Sequence, residues 1–207
     1  MNLLQHFGLG FGISFLFYLP CGSVNLITAD LALRKGMRLA MYLATGATLV
    51  ELVYALLALN SSRFIDRYLK DNAYINLGVA IALLVLGIIF LSRKPKPRQD
   101  TQATKPQAPL TMFTEGLLLG VLNLPALPLW LFVVRYLQQN RWAQWTALHE
   151  TIFVVGIVIA RFLILRLYGK LGIALEHRLS NIQVWSNRVI GGIFLALSAY
   201  QGYAFLS

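Results

Sequence analysis

Two long apolar stretches of this chain are interrupted in corresponding places, the first by Pro20-Cys21-Gly22 and a later one by Asn123-Leu124-Pro125 with Pro128 just beyond. A proline removes a backbone donor and its ring clashes with the carbonyl four residues back, so groups near Leu16, Val121 and Leu124 need other partners. Inside a lipid bilayer such opened backbone is tolerated only against protein or a water-lined cavity. Interruptions at corresponding positions of two halves point to the binding site of a secondary transporter.

The rest of the composition places these breaks in a membrane. Of the 207 residues 57% are hydrophobic and only 13% charged, about half the charge of a soluble domain. Charge-poor runs cover Leu3 to Ala29, Leu39 to Ser62, Ala73 to Ser92, Leu110 to Val134, Trp145 to Leu165 and Val189 to Ser207. Each is long enough for the roughly 20 residues of a spanning helix. The expected fold is therefore an all-α membrane protein of six spans, with the first and fourth broken. Little chain is left for a soluble catalytic domain, and Glu150, Arg161 and Arg166 make the fifth span the least regular.

The net charge of +10 follows topology rather than nucleic-acid binding. Arg34, Lys35 and Arg38 follow the first span, Arg93 to Lys105 the third, and Arg166, Lys170, Arg178 and Arg188 the fifth. The loops between carry only Arg63, Arg67, Lys70 and Arg141. The positive-inside rule then puts the basic loops in the cytoplasm and both termini outside. The first basic residue is Arg34, so the start lacks the charged region of a cleavable signal peptide, and the first span is expected to stay.

A basic, proline-rich segment, residues 93–109, lacks apolar periodicity and reads as a flexible cytoplasmic linker. It separates a first three-helix unit, 1–92, from a second, 110–207. Three spans per unit insert the two in opposite orientations, as an inverted repeat. Residues 171–183 are mixed in character, and read equally as a surface amphipathic helix or a plain loop.

Polar side chains form stripes on three of these spans. Ser14, Tyr18, Cys21, Asn25 and Thr28 follow steps of four and three, Thr45, Thr48 and Glu51 steps of three, and Asn187, Gly191, Ser198 and Gln201 share a face of the last span. Taken singly, each reads as hydrogen-bonded glue between helices. Taken together beside two broken helices, they read as the lining of a cavity.

Glu51 is the sharpest candidate, because an ionisable group deep in a span is costly and is either functional or paired. It suits reversible proton binding, or alternatively a structural ion pair with Arg161 of the fifth span, and both hold if the pair is a proton-sensitive gate. Asp30 reads as support for Arg34 and Arg38 at the interface, and Arg135 and Glu150 as interfacial. Trp130, Trp142, Trp145 and Trp185 read as belt residues.

Other chemistries find little support. His6, His149 and His177 lie in separate segments without ligand spacing, so neither a metal nor another cofactor is expected. There is no phosphate-binding G-x-x-x-x-G-K-[ST] loop for ATP hydrolysis. Cys21, in L-P-C-G, is the sole cysteine, whereas thiol exchange needs a second. No constellation of nucleophile and base marks an enzyme.

Four stretches carry a family resemblance: L-P-C-G-S-V-N-L-I-T-A-D-L-A-L-R-K-G-M-R, A-T-G-A-T-L-V-E-L-V-Y-A-L-L-A, F-T-E-G-L-L-L-G-V-L-N-L-P-A-L-P-L-W and W-S-N-R-V-I-G-G-I-F-L-A-L. The chain resembles the lysine exporter (LysE/RhtB) family of bacterial amino-acid exporters. Two departures from the family pattern stand at the breaks. Pro20-Cys21-Gly22 replaces proline-glycine-proline, and Pro125 falls one position late after Asn123. The resemblance implies six helices, a homodimer and export driven by the proton gradient.

The expectation that follows is an inner-membrane exporter of amino acids or related small metabolites. Pro20, Cys21, Gly22, Ser23 and Asn25 from one break, and Asn123 and Pro125 from the other, would bind substrate; Glu51 and Arg161 would couple protons. The competing expectation is a membrane scaffold or envelope-assembly protein that transports nothing. A watery cavity touching both breaks favours the first, and a dry packed centre the second.

Overall fold

Both interrupted stretches fold as pairs of helices that meet at an angle. In the computed structural model, which describes residues 2–19, 22–68, 73–92, 108–123, 126–139, 145–174 and 179–206, α1 (Leu3–Tyr18) and α2 (Ser23–Lys35) meet at 76°. The later pair, α5 (Pro109–Val121) and α6 (Ala126–Gln139), meets at 60°. Four more helices complete the described residues: α3 (Met37–Tyr68), α4 (Ala73–Ser92), α7 (Ala147–Ala174) and α8 (Leu179–Leu206). Two stretches, Met37–Ser61 and Ala147–Ile173, are long and apolar enough to cross a membrane, and four spans result if each bent pair counts as one.

Local chemistry accounts for where these helices start and stop. Asn2 and Gln5 close a reciprocal capping box at the start of α1. Pro109 opens α5 at a position whose amide has no helical acceptor to lose. Between α2 and α3 the chain turns at Gly36, whose φ of 92° is a conformation that side-chain-bearing residues avoid. The expected surface segment is partly absorbed into helix: 171–174 continue α7, and α8 begins at Leu179. Pro20, Cys21, Pro125 and residues 93–107 of the expected linker lie outside the described residues.

The packing crosses between the two halves of the chain. The pair α1–α2 lies on α7, the pair α5–α6 lies on α3, α3 lies on α7, and α4 lies on α8. Glycines set the closest approaches. A Cβ on Gly10 of α1 would strike the Phe153 carbonyl of α7, and one on Gly156 would come 2.5 Å from the Phe7 carbonyl. At the crossing of α5 on α3, a Cβ on Gly116 would strike the Leu43 carbonyl, and one on Gly46 the Phe113 carbonyl. Gly87 of α4 and Gly191 of α8 meet in the same reciprocal way, each against a leucine of the other, Leu195 and Leu91. In a bilayer, where no hydrophobic force drives helices together, such close approach supplies the dispersion contacts that hold them.

Apolar side chains on α4, including Ile81, Leu84, Val85, Ile88 and Ile89, face outward, as a lipid-facing surface requires. Inside, Tyr18, Trp130, Val134, Phe153 and Ile157 form a core joining α1, α6 and α7. Leu83, Leu129 and Phe194 close the other side, with Phe17 packed against them.

The glycine crossings make a direct test. Gly116→Ala is expected to destabilise by about 1–3 kcal/mol, because two helix backbones must separate. Gly12→Ala, where a Cβ would meet nothing within 4 Å, is expected to be neutral or to stabilise by up to about 1 kcal/mol through helix propensity. Thermal unfolding in detergent micelles followed by circular dichroism compares them, and equal effects would refute the packing argument.

Candidate functional site

Glu51 lies in the interior of α3, only 3% exposed, and its carboxylate is gripped from both broken pairs. The hydroxyl of Tyr18, the last residue of α1, donates to Oε2 at 2.6 Å, and the indole Nε1–H of Trp130, near the start of α6, donates to Oε1. Trp130 is itself fully buried, with Phe153 packed at right angles to it. A carboxylate withdrawn from water needs donors on both oxygens, and here one comes from each side of the molecule.

Arg161 of α7 is 2% exposed. Its Nη1 donates to Asn25 Oδ1 at 3.0 Å, and its guanidinium carbon lies 4.0 Å from the centre of the Tyr18 ring, a cation–π arrangement. Its Nε is buried without an acceptor. The expected ion pair is not formed: among the described residues the salt bridge found joins Arg34 to Asp30 at 2.9 Å. Tyr18 stands between the two charges, with its hydroxyl on Glu51 and its ring face on Arg161.

The opened backbone at each break finds side-chain donors. Asn25 Nδ2 donates to the Tyr18 carbonyl at 2.8 Å, and the Tyr168 hydroxyl of α7 to the Leu19 carbonyl at 2.6 Å. At the second break the Tyr54 hydroxyl of α3 donates to the Val121 carbonyl at 2.9 Å. Val121 is thus partnered as the sequence requires, while at the first break the donors go to Tyr18 and Leu19 rather than to Leu16.

Five hydroxyls of the polar stripes bind backbone carbonyls. Ser14 donates across to the Ile157 carbonyl and Ser198 to that of Ala80. Thr28, Thr45 and Thr48 return their hydroxyls to carbonyls one turn back in their own helices. A cavity of about 400 Å³ does lie between α3 and α7, lined in part by Thr48, Leu52, Val158 and Phe162, but its lining is apolar and includes no residue of either break. The side chains of Asn187 and Gln201 lie outside the described residues.

Residues 15–204, most of the chain, match the family model of the LysE type translocators. The chain belongs to this family. No curated protein and no solved structure matches it. LysE type translocators are transporters rather than enzymes, so this is a helical membrane transporter of small molecules.

Of the translocator residues singled out in the sequence, Glu51, Asn25 and Arg161 come together in one buried network. Gly22 caps the start of α2, Ser23 is exposed beside it, and Asn123 is half-buried, its carbonyl accepting from the Ala126 amide at 3.0 Å. The belt assignment fails for Trp130, which hydrogen-bonds at the centre; the polar indole N–H beside a buried carboxylate is the signal that hydropathy alone obscured. Trp142 and the side chain of Trp185 lie outside the described residues. Arg135 and Glu150, expected at the interface, are each 8% exposed. His6 and His149, far apart in sequence, bring their rings to 4.4 Å, without a third His, Cys, Asp or Glu among the described residues to complete a metal cluster.

Tyr168→Phe removes the donor on a freed carbonyl and Trp130→Phe a donor on the carboxylate. Each is expected to lower unfolding stability by about 1–3 kcal/mol, the cost of a buried polar group left alone. Denaturant titration in micelles measures this; stability unchanged in both variants would mean water serves those groups instead.

Proposed function

We propose that this translocator exports amino acids or related small metabolites across the bacterial inner membrane by proton antiport. The observation that carries the reading is Glu51, a buried carboxylate held at once by Tyr18 beside the first break and Trp130 beyond the second. An acid held between two bent helix pairs would take up or release a proton as those pairs shift, so protonation and conformation are linked.

In this reading the molecule is two inverted three-helix repeats, 1–92 and 110–207, joined by the cytoplasmic linker, with six spans and both termini outside. The crossings support it. One constant sequence offset carries Phe7, Gly10 and Phe11 onto Phe113, Gly116 and Leu117, and another carries Leu43 and Gly46 onto Phe153 and Gly156. The second offset also carries Glu51 onto Arg161, so the repeats present opposite charges from equivalent positions. Rocking of one repeat against the other would then alternate access to a fixed central site.

Asn25 and Asn123 would orient the substrate from opposite repeats, with backbone at Pro20, Cys21, Gly22 and Ser23 and at Pro125 supplying donors and acceptors. Half-helix N-termini favour a carboxylate, and opened carbonyls with Glu51 favour an ammonium or a proton. Family membership also supports a homodimer. The scaffold alternative draws on one observation, that the cavity between α3 and α7 touches neither break; a closed stage of an alternating-access cycle accommodates that observation equally.

Glu51→Gln keeps the shape and both donors' neighbour but cannot release a proton. It is expected to abolish proton-driven efflux from liposomes, a loss of about 100-fold or more, while the protein still elutes as a single species. Efflux that continues to follow the imposed proton gradient would remove Glu51 from the coupling.

A further inference from the structure

We infer that Tyr18 holds the place of the transported zwitterion, and that Arg161 is the anchor for its carboxylate. The inference rests on the transport reading above and adds the residues that choose the substrate. Glu51 and Arg161 are opposite charges, both withdrawn from water, that do not pair. What separates them is one side chain. The Tyr18 hydroxyl takes the Glu51 oxygen at 2.6 Å that an ammonium would take, and the Tyr18 ring face, 4.0 Å from the guanidinium carbon, offers Arg161 a weak substitute for an anion.

Arg161 is not satisfied by that substitute. Nη1 is bonded to Asn25, yet Nε is buried with no acceptor. A guanidinium presents its donors in a planar fork that matches the two oxygens of a carboxylate. A buried fork with a free donor, facing a buried carboxylate across a single removable ring, is the donor set for a molecule bearing both an ammonium and a carboxylate.

Tyr18 is also placed to leave. It is the last residue of α1, next to the break, and Asn25 links its carbonyl to Arg161, donating to the first and accepting from the second. A carboxylate that draws Arg161 toward itself therefore pulls on the joint that carries Tyr18. Substrate entry and movement of the first break become one event. While the Tyr18 hydroxyl covers Glu51, proton passage without cargo is limited.

The test uses the full-length protein in liposomes loaded with a mixture of the standard L-amino acids, with efflux under a proton gradient read by mass spectrometry. If no amino acid leaves, the transport reading falls and this inference falls with it. For one that leaves, its carboxamide and its decarboxylated amine are expected to leave about 30-fold more slowly or less, the scale of losing one partner of a buried charged pair. Equal efflux of acid and carboxamide from the unaltered protein overturns the inference and leaves the transport reading standing, with no variant needed. Arg161→Gln is expected to erase the preference for the acid; a preference that survives overturns the anchor. Tyr18→Phe frees the Glu51 oxygen but keeps the ring, and is expected to lower KM about tenfold by removing the competing hydrogen bond. A KM that rises or stays level overturns the placeholder role.

Discussion

A helix opened inside a bilayer leaves carbonyls that only protein can satisfy, and the arrangement of this molecule follows from where those donors come from. At the first break they are Asn25 and Tyr168, and at the second Tyr54. Tyr168 stands on α7 and Tyr54 on α3, so each break is served by a helix from the other half of the chain. Neither broken pair is self-sufficient. The halves must therefore lie against each other, and the glycines at the α1–α7 and α3–α5 crossings let them come close enough for a phenol to reach.

With the breaks fixed this way, Glu51 becomes their common tie. A buried carboxylate carries a large desolvation cost, which two neutral donors offset only in part. That cost is not needed for stability, since an apolar side chain in the same space would pack without it. Its presence where side chains of α1, α3 and α6 meet is an argument for function. Arg161 strengthens the argument. A static structural pair would bring guanidinium and carboxylate together, whereas here an aromatic ring keeps them apart.

Periodicity and punctuation made long apolar helices and both bends legible in the sequence, because Pro20 and Pro125 interrupt apolar runs of roughly spanning length. The depth of Glu51 was legible for the same reason. What escaped was the identity of its donors. Trp130 read as a belt residue because hydropathy scores an indole by its bulk, and nothing in a linear pattern brings position 130 to position 51. Tyr54 and Tyr168 were missed on the same ground: their donor targets lie 67 and 149 residues away. Spacing alone did not tell the stripe residues apart: Thr28 and Thr48 return their hydroxyls to carbonyls one turn back, whereas Tyr18, Asn25 and Glu51 meet in the buried network.

The molecule thus divides into parts that resist change and parts that invite it. At the glycine crossings backbone meets backbone, so α1 with α7 and α5 with α3 can rock as units but cannot slide far without a clash. Beside the breaks, the carbonyls of Tyr18, Leu19 and Val121 are each met by one side-chain donor, Asn25, Tyr168 and Tyr54. A bond of that kind is worth about 1 kcal/mol, well within what a bound zwitterion or a proton can supply. In the proposed cycle, motion would then cost least beside the charged site, where Asn25 links the Tyr18 carbonyl to Arg161 and the Tyr18 hydroxyl rests on Glu51.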